Sequence, residues 1–261
     1  MNILNKIVAD KHKEVVLKKE YLGVPLLEQM PYFIENTNSL KQNLNKNPTG
    51  IIAEFKRRSP SKSLINNKAL VEDVAIGYQQ AGVCGMSVLT DEIYFGGTLD
   101  DLITAKQSCQ LPLLRKDFII DEFQIIEAKA FGADVILLIA AILTKAQIKQ
   151  FSELAKTLHL EVLLEVHNET ELYNSLMPTI DMIGVNNRNL KTFDLSLETS
   201  KKLSKLIPDN FIKVSESGIS SIEAIKELQA YGYKGFLIGE NFMKTKNPGK
   251  SANEFINALE R

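Results

Sequence analysis

A chain of 261 residues with 44% hydrophobic content can bury a large core, which excludes a disordered protein and fits one large α/β domain or two small ones. Its 31 lysines and arginines stand against 32 aspartates and glutamates, so no overall field draws it to nucleic acid or an anionic membrane, and any ligand must be gripped locally. Cys84 and Cys109 lack CxxC spacing, which excludes a zinc knuckle or disulfide framework and predicts a reducing compartment.

In chain order, residues 1–49 come first. Apolar positions Ile3, Leu4, Ile7, Val8, Val15 and Val16 recur at helical spacing, predicting a helical extension. The polar stretch Asn36 to Thr49 reads as the linker joining that extension to the first apolar run. Charges scattered through the opening residues rule against a signal peptide. The longest apolar run, Val135 to Leu143, is far short of the roughly 20 residues of a membrane helix. Together these predict a cytoplasmic protein with no membrane partner.

From Gly50 onward, short apolar runs alternate with longer amphipathic segments, the pattern of βαβ units and a parallel sheet. The runs are GIIAEFK (50–56), VCGMSVLT (83–90), LPLLRKDF (111–118), DVILLIA (134–140), LEVLLEV (160–166), MIGVNNR (182–188), FIKVSES (211–217) and GFLIGE (235–240). Between them lie helix candidates at Asn67 to Ala81, Asp121 to Phe131, Lys145 to Leu158 and Ser220 to Tyr231. Asp121, Thr144 and Ser220 read as caps, and Gly82, Gly132, Gly232 and Gly235 as helix ends. Eight such repeats predict an α/β fold, a (β/α)8 TIM barrel over residues 50–261, forming one domain with the extension. A doubly wound open sheet is the alternative, disfavoured because the first run lacks a GxGxxG turn.

Charged side chains are costly inside a strand covered on both faces, so where they fall is informative. They gather at the carboxyl ends of the runs: Glu54 and Lys56, Lys116, Glu165, Asn186 and Arg188, then Glu216 with Ser217. In barrels of this kind that end is the catalytic face. Alternation puts Glu54 with Lys56, and Asn186 with Arg188, on one face, leaving Phe55 and Asn187 toward the helices. Three carboxylates and three cations at one mouth can hold an anionic substrate while keeping acid and base apart in pKa. SESGIS (215–220) and IGEN (238–241) come after the last two runs, where backbone N–H groups commonly hold phosphate.

These segments, with AEFKRRSPSK (53–62), SVLTDEIYFGG (87–97), LLRKDFIID (113–121), GADVILLIAAIL (132–143), LEVLLEVHNETEL (160–172), IGVNNRNL (183–190) and GFLIGENFM (235–243), resemble indole-3-glycerol-phosphate synthase over nearly the whole chain. ILNKIVADKHKEV (3–15) is similar to that family's extra N-terminal helix. The resemblance implies a carboxy-lyase that converts 1-(2-carboxyphenylamino)-1-deoxyribulose 5-phosphate to indole-3-glycerol phosphate, carbon dioxide and water in tryptophan biosynthesis. It implies no metal and no organic cofactor. By motif position, Lys116 is the general acid, Glu165 serves proton transfer in dehydration, and Glu54 and Asn186 orient the reacting hydroxyls. Lys56, Ser59 and Arg188 bind the carboxylate and neighbouring polar groups, Phe95 and Phe118 wall the aromatic ring, and Glu216 joins the substrate-binding set. Ser217, Gly218, Gly239 and Glu240 hold the phosphate. Two departures stand out: Ser63 follows SPSK where the family has glycine, and Thr98 replaces a common serine.

Other readings weigh less. The tract Lys56, Arg57, Arg58 and Lys62 could serve nucleic acid, but it directly continues a buried strand and has no interleaved aromatics. His167 reads as a solvated loop histidine, with a second proton-transfer role beside Glu165 as the alternative; His12 and His159 lie away from the predicted mouth. Cys84 reads as core filler and Cys109 as a helix-end residue. A phosphoribosylanthranilate isomerase would be expected to lack the N-terminal extension, and a catalytically dead barrel would not keep Lys116 and Glu165.

Overall fold

The computed structural model describes residues 3–189 and 192–261. The chain opens with α1 (Ile3–Tyr21), α2 (Val24–Leu27) and α3 (Leu40–Lys46), before β1 (Ile51–Phe55), α4 (Val71–Ala81), β2 (Gly85–Leu89), α5 (Glu92–Phe95) and α6 (Leu99–Ser108). It continues through β3 (Leu113–Lys116), α7 (Glu122–Ala130), β4 (Val135–Ile139), α8 (Lys145–Thr157), β5 (Glu161–Val166), α9 (Glu169–Ser175) and β6 (Met182–Asn186). The last elements are α10 (Glu198–Ser204), β7 (Ile212–Glu216), α11 (Ile222–Ala230), β8 (Tyr233–Ile238), α12 (Glu240–Met243) and α13 (Pro248–Leu259). All eight strands pair in parallel with their neighbours, and β1 pairs with β8 to close a barrel. A closed barrel, not an open sheet, is what the eight apolar runs build.

Alternation along each strand sorts the side chains into two layers. Ile51, Ala53 and Phe55 face outward into the shell shared with the helices, while Ile52, Leu114, Val135, Leu137, Leu163 and Val214 fill the lumen. The inward row that starts apolar therefore ends in Glu54, Lys116, Glu165, Asn186 and Glu216 at the carboxyl mouth.

The stretch expected to be a linker, Asn36 to Thr49, instead contains α3. Ser39 caps it by accepting the Gln42 N–H at 3.0 Å, and Leu40 and Leu44, one turn apart, enter the same cluster as the lumen residues. Fully burying two leucines contributes about 1.5–3 kcal/mol each. The Lys41 N–H donates to Glu161 at the foot of β5 (2.9 Å), and Asn43 donates to the Cys84 carbonyl before β2 (2.9 Å). This helix thus plugs the end of the barrel opposite the catalytic residues.

Gly82, Gly132 and Gly232 follow helices at positive φ, as expected. Gly235 does not end a helix: it lies inside β8, where a Cβ would press on Val214, so close packing rather than a turn requires it. The cap of α11 is Ser221 rather than Ser220. Among the described residues both cysteines are free and buried, and no helix is long and apolar enough to cross a membrane.

Candidate active site

Each of the candidate residues read from the sequence lines one cavity of about 390 Å³ at the carboxyl mouth. At its base the Lys116 ammonium lies 3.5 Å from Glu165 Oε2 and in direct contact with Glu216 Oε2. Glu54 pairs with Lys56 at 2.6 Å, and Asn186 donates to Glu165 Oε1 at 3.1 Å while its own oxygen accepts the Arg188 backbone N–H at 3.0 Å. The inner group is nearly dry, since Glu54, Glu165 and Glu216 are all buried.

Two glycines create the room for these carboxylates. A Cβ on Gly184 in β6 would stand 2.2 Å from Glu216 Oε1, and one on Gly239 would stand 2.4 Å from Glu54 Oε1. Neither space is spare.

Burial alone would push the Lys116 ammonium down, but Glu216, Glu165 and Glu54 together hold it above the ordinary lysine range. Burial pushes the Glu216 carboxyl up to about 7, against the pull of Lys116 and with the help of Glu165 and Glu54. One ammonium among three carboxylates explains both directions. The excess negative charge is most cheaply relieved by protonating Glu216, and Lys116 stays a cation. Glu216, expected to bind substrate, is thus first of all the contact partner of Lys116.

The upper wall is aromatic and apolar. Phe95, the last residue of α5, packs on Phe118 with ring centroids 6.0 Å apart. Ile3, Leu4 and Ile7 of α1 complete that wall, with Phe193 and Leu195 opposite. No charge pattern marks these residues, so the sequence offered only the helical spacing of the first three as a signal. Ser59 sits in a tight turn closed by reciprocal backbone bonds with Lys62 (2.9 and 3.0 Å). Lys62 pairs with Glu240 of the neighbouring βα loop at 2.8 Å, and this partner holds the Glu240 carboxyl below its usual range.

After β7, Ser217 and Gly218 both have positive φ (66° and 76°), a turn that sets successive backbone N–H groups around a concavity. The buried Asn187 fixes this turn by donating to the Ser217 carbonyl at 3.1 Å and to Ser215 Oγ at 2.9 Å. Facing outward, as alternation required, Asn187 is a functional support that the sequence reading left without a role. Gly239, Glu240 and Asn241 stand across the same part of the cavity.

Three further groups were not foreseen. Lys11 of α1 is buried between Asp91 and Asp117 (3.0 Å each) and Glu14 (2.7 Å). Asp91 caps α5, and Asp117 lies between Lys116 and Phe118, so α1 is bolted to two loops that carry the site. The basic tract is spent internally: Arg57 forms a two-pronged pair with Asp101 (2.5 and 2.8 Å), and Arg58 donates to the Glu92 carbonyl at 2.7 Å. His167 is not a solvated loop residue, because only 11% of its side chain is exposed and both ring nitrogens lie against carboxylates.

Fold and site together define a (β/α)8-barrel enzyme whose carboxyl mouth brings an ammonium and three carboxylates together beside a glycine-rich turn. The family model for indole-3-glycerol phosphate synthase matches residues 4–255, and the chain belongs to that family. An indole-3-glycerol phosphate synthase of Bacteroides thetaiotaomicron is 46% identical over 259 residues, covering 99% of both chains. Those of Aliarcobacter butzleri and Chromobacterium violaceum are 40% and 41% identical, each spanning 98% of this chain and 99% and 98% of their own. Among solved structures, 3-hexulose-6-phosphate synthase from Salmonella typhimurium superposes with a TM-score of 0.62 at 14% identity, covering 81% of this chain and 98% of that one. At that identity the likeness is one of fold.

Proposed function

We propose that this enzyme converts 1-(2-carboxyphenylamino)-1-deoxyribulose 5-phosphate into indole-3-glycerol phosphate, carbon dioxide and water, acting in the cytoplasm as a carboxy-lyase of tryptophan biosynthesis. The observation that carries the assignment of roles is the Lys116 ammonium, held between Glu165 and Glu216 at the base of the cavity. The two free, buried cysteines suit a reducing compartment.

Lys116 gives its proton to the ketone oxygen as the aromatic carbon attacks, so the developing alkoxide is neutralised in a dry site where a cation is worth most. Departure of carbon dioxide returns the bonding pair to the ring. Glu165 then takes the proton lost from carbon in dehydration and passes it to the departing hydroxyl, which leaves as water, with Asn186 and Glu54 orienting the hydroxyls, and Lys116 regains its proton from solvent. Lys56, Ser59 and Arg188 hold the anthranilate carboxylate, and Phe95 and Phe118 flank its ring. The phosphate sits on the backbone N–H groups of Ser217, Gly218, Gly239 and Glu240, and Lys62 offsets the Glu240 carboxylate beside it. Fixing both ends of the substrate makes ring closure an oriented intramolecular step.

The test is a continuous absorbance or fluorescence assay for indole-3-glycerol phosphate with the synthetic substrate. Lys116→Met is expected to abolish ring closure, whereas Glu165→Gln binds substrate and builds up a cyclised, undehydrated intermediate in rapid-quench samples. Near-native turnover in Lys116→Met would remove Lys116 as the acid and pass that role to Lys56.

A further inference from the structure

His167 follows β5 two residues after Glu165, and its imidazole is packed between two carboxylates. Nδ1 lies 3.1 Å from Glu171 Oε2 on α9, an oxygen that also accepts the His167 backbone N–H at 2.8 Å. Nε2 lies 3.3 Å from Glu165 Oε1 but makes no hydrogen bond, a buried nitrogen aimed at the oxygen that Asn186 also holds. Asn168 in turn secures the other Glu171 oxygen at 2.7 Å, so the carboxylate cannot swing away from the ring. A buried titratable side chain pinned on one nitrogen and uncommitted on the other is a costly arrangement for filler.

We infer that His167 is a positioning residue for Glu165: fixed by Glu171, its imidazole holds the Glu165 carboxylate turned toward the cavity, in place to accept the proton released in dehydration. The inference rests on the reading of Glu165 as the proton acceptor. Glu165 shares Lys116 with Glu216, so the lysine alone does not fix it. The charged groups that face His167 are Glu165 on β5, Glu171 on α9 and Glu216 on β7, all carboxylates. Burial would push the imidazole down, yet these three raise it above the ordinary histidine value, and His167 in return helps hold Glu171 below its usual range. Glu171 acts as the orienting third member behind an acid–base pair, with the histidine in the middle.

Replacing His167 by Gln, which keeps a hydrogen-bonding amide but not the ring, is expected to lower kcat about tenfold or more and to let the cyclised, undehydrated intermediate build up in rapid-quench samples. KM is expected to change little. Glu171→Gln leaves the imidazole in place and serves as the second variant should His167→Gln fold poorly. It is expected to lower the His167 titration midpoint, read by ring-nitrogen NMR in a chain with only three histidines. Its kcat should show the same loss with KM little changed. A kcat unmoved in His167→Gln, or a His167 midpoint unmoved in Glu171→Gln, would overturn the inference. Full turnover in Glu165→Gln would overturn it as well, and would do so by removing the reading of Glu165 itself.

Discussion

Substituting Lys11 by Met tests whether the buried ion cluster under α1 holds the site in shape. The ammonium is 1% exposed and meets Asp91 and Asp117 at 3.0 Å and Glu14 at 2.7 Å. Burial would push it down, but Asp117, Asp91 and Glu14 raise it above the ordinary lysine range, so the ammonium stays charged. Met fills similar volume and removes the charge. Asp117 keeps Arg115 at 3.1 Å and the Thr90 hydroxyl at 2.6 Å, whereas Asp91 keeps only the Tyr94 N–H at 2.7 Å. One orphaned buried carboxylate places the cost at the lower end of the range for a broken buried pair, about 3 kcal/mol, or a fall in Tm of about 6–12 °C for a chain of this size. Asp117 is held well below its usual value of 3.8 by Lys11 and Arg115 against burial, so its share of stability is present above about pH 4 and is lost on acidification. The gap between wild type and variant should therefore narrow as the pH falls below about 4. Calorimetry at pH 7 and at about pH 2 measures both quantities, and Lys11→Met combined with Asp91→Asn should recover part of the loss. A Tm within about 2 °C of wild type at pH 7 would mean that the cluster is solvated and the reasoning wrong.

Glu216→Gln removes the carboxylate that does most to raise Lys116, so the basic limb of the kcat/KM profile should move to lower pH; a limb that stays in place would show that Glu216 does not govern the acid. Gly239→Ala places a methyl group 2.4 Å from Glu54 Oε1, and kcat/KM should fall about tenfold or more with circular dichroism unchanged, equivalent to about 1.4 kcal/mol. Ser63 is exposed and does not occupy a positive φ, so Ser63→Gly should cost about 0.4–1 kcal/mol through the unfolded chain and speed hydrogen exchange in the first βα loop. Equal exchange and turnover in both proteins would count against it.

Burial accounts for the part of the molecule that was legible in the sequence. Barrel strands covered on both faces must be apolar for their whole length, so they stand out as runs, and a charge at the end of such a run has few places to go except the mouth. Lys116, Glu165 and Glu216 were visible for that reason. The helix α3 was not, because only Leu40 and Leu44 break a polar stretch of seven residues, too few for periodicity to show. Gly235 looked like a helix stop because glycine serves both turns and close packing, and only the neighbour Val214 distinguishes them. Lys11 and His167 were missed or misread because their partners are set by tertiary contact: Asp91 and Asp117 are far along the chain from Lys11. Glu171, although nearby, reaches His167 only once α9 has formed.

The plug formed by α3 also governs traffic through the molecule. With Leu40 and Leu44 packed beneath a filled lumen, there is no rear exit, so substrate, gas, water and the phosphorylated product all use one doorway. The rim of that doorway is tied by the Lys62–Glu240 bridge between the first and last βα loops, which are neighbours in the barrel. The large product therefore leaves by the way the substrate came in, and the rim that admits one must release the other.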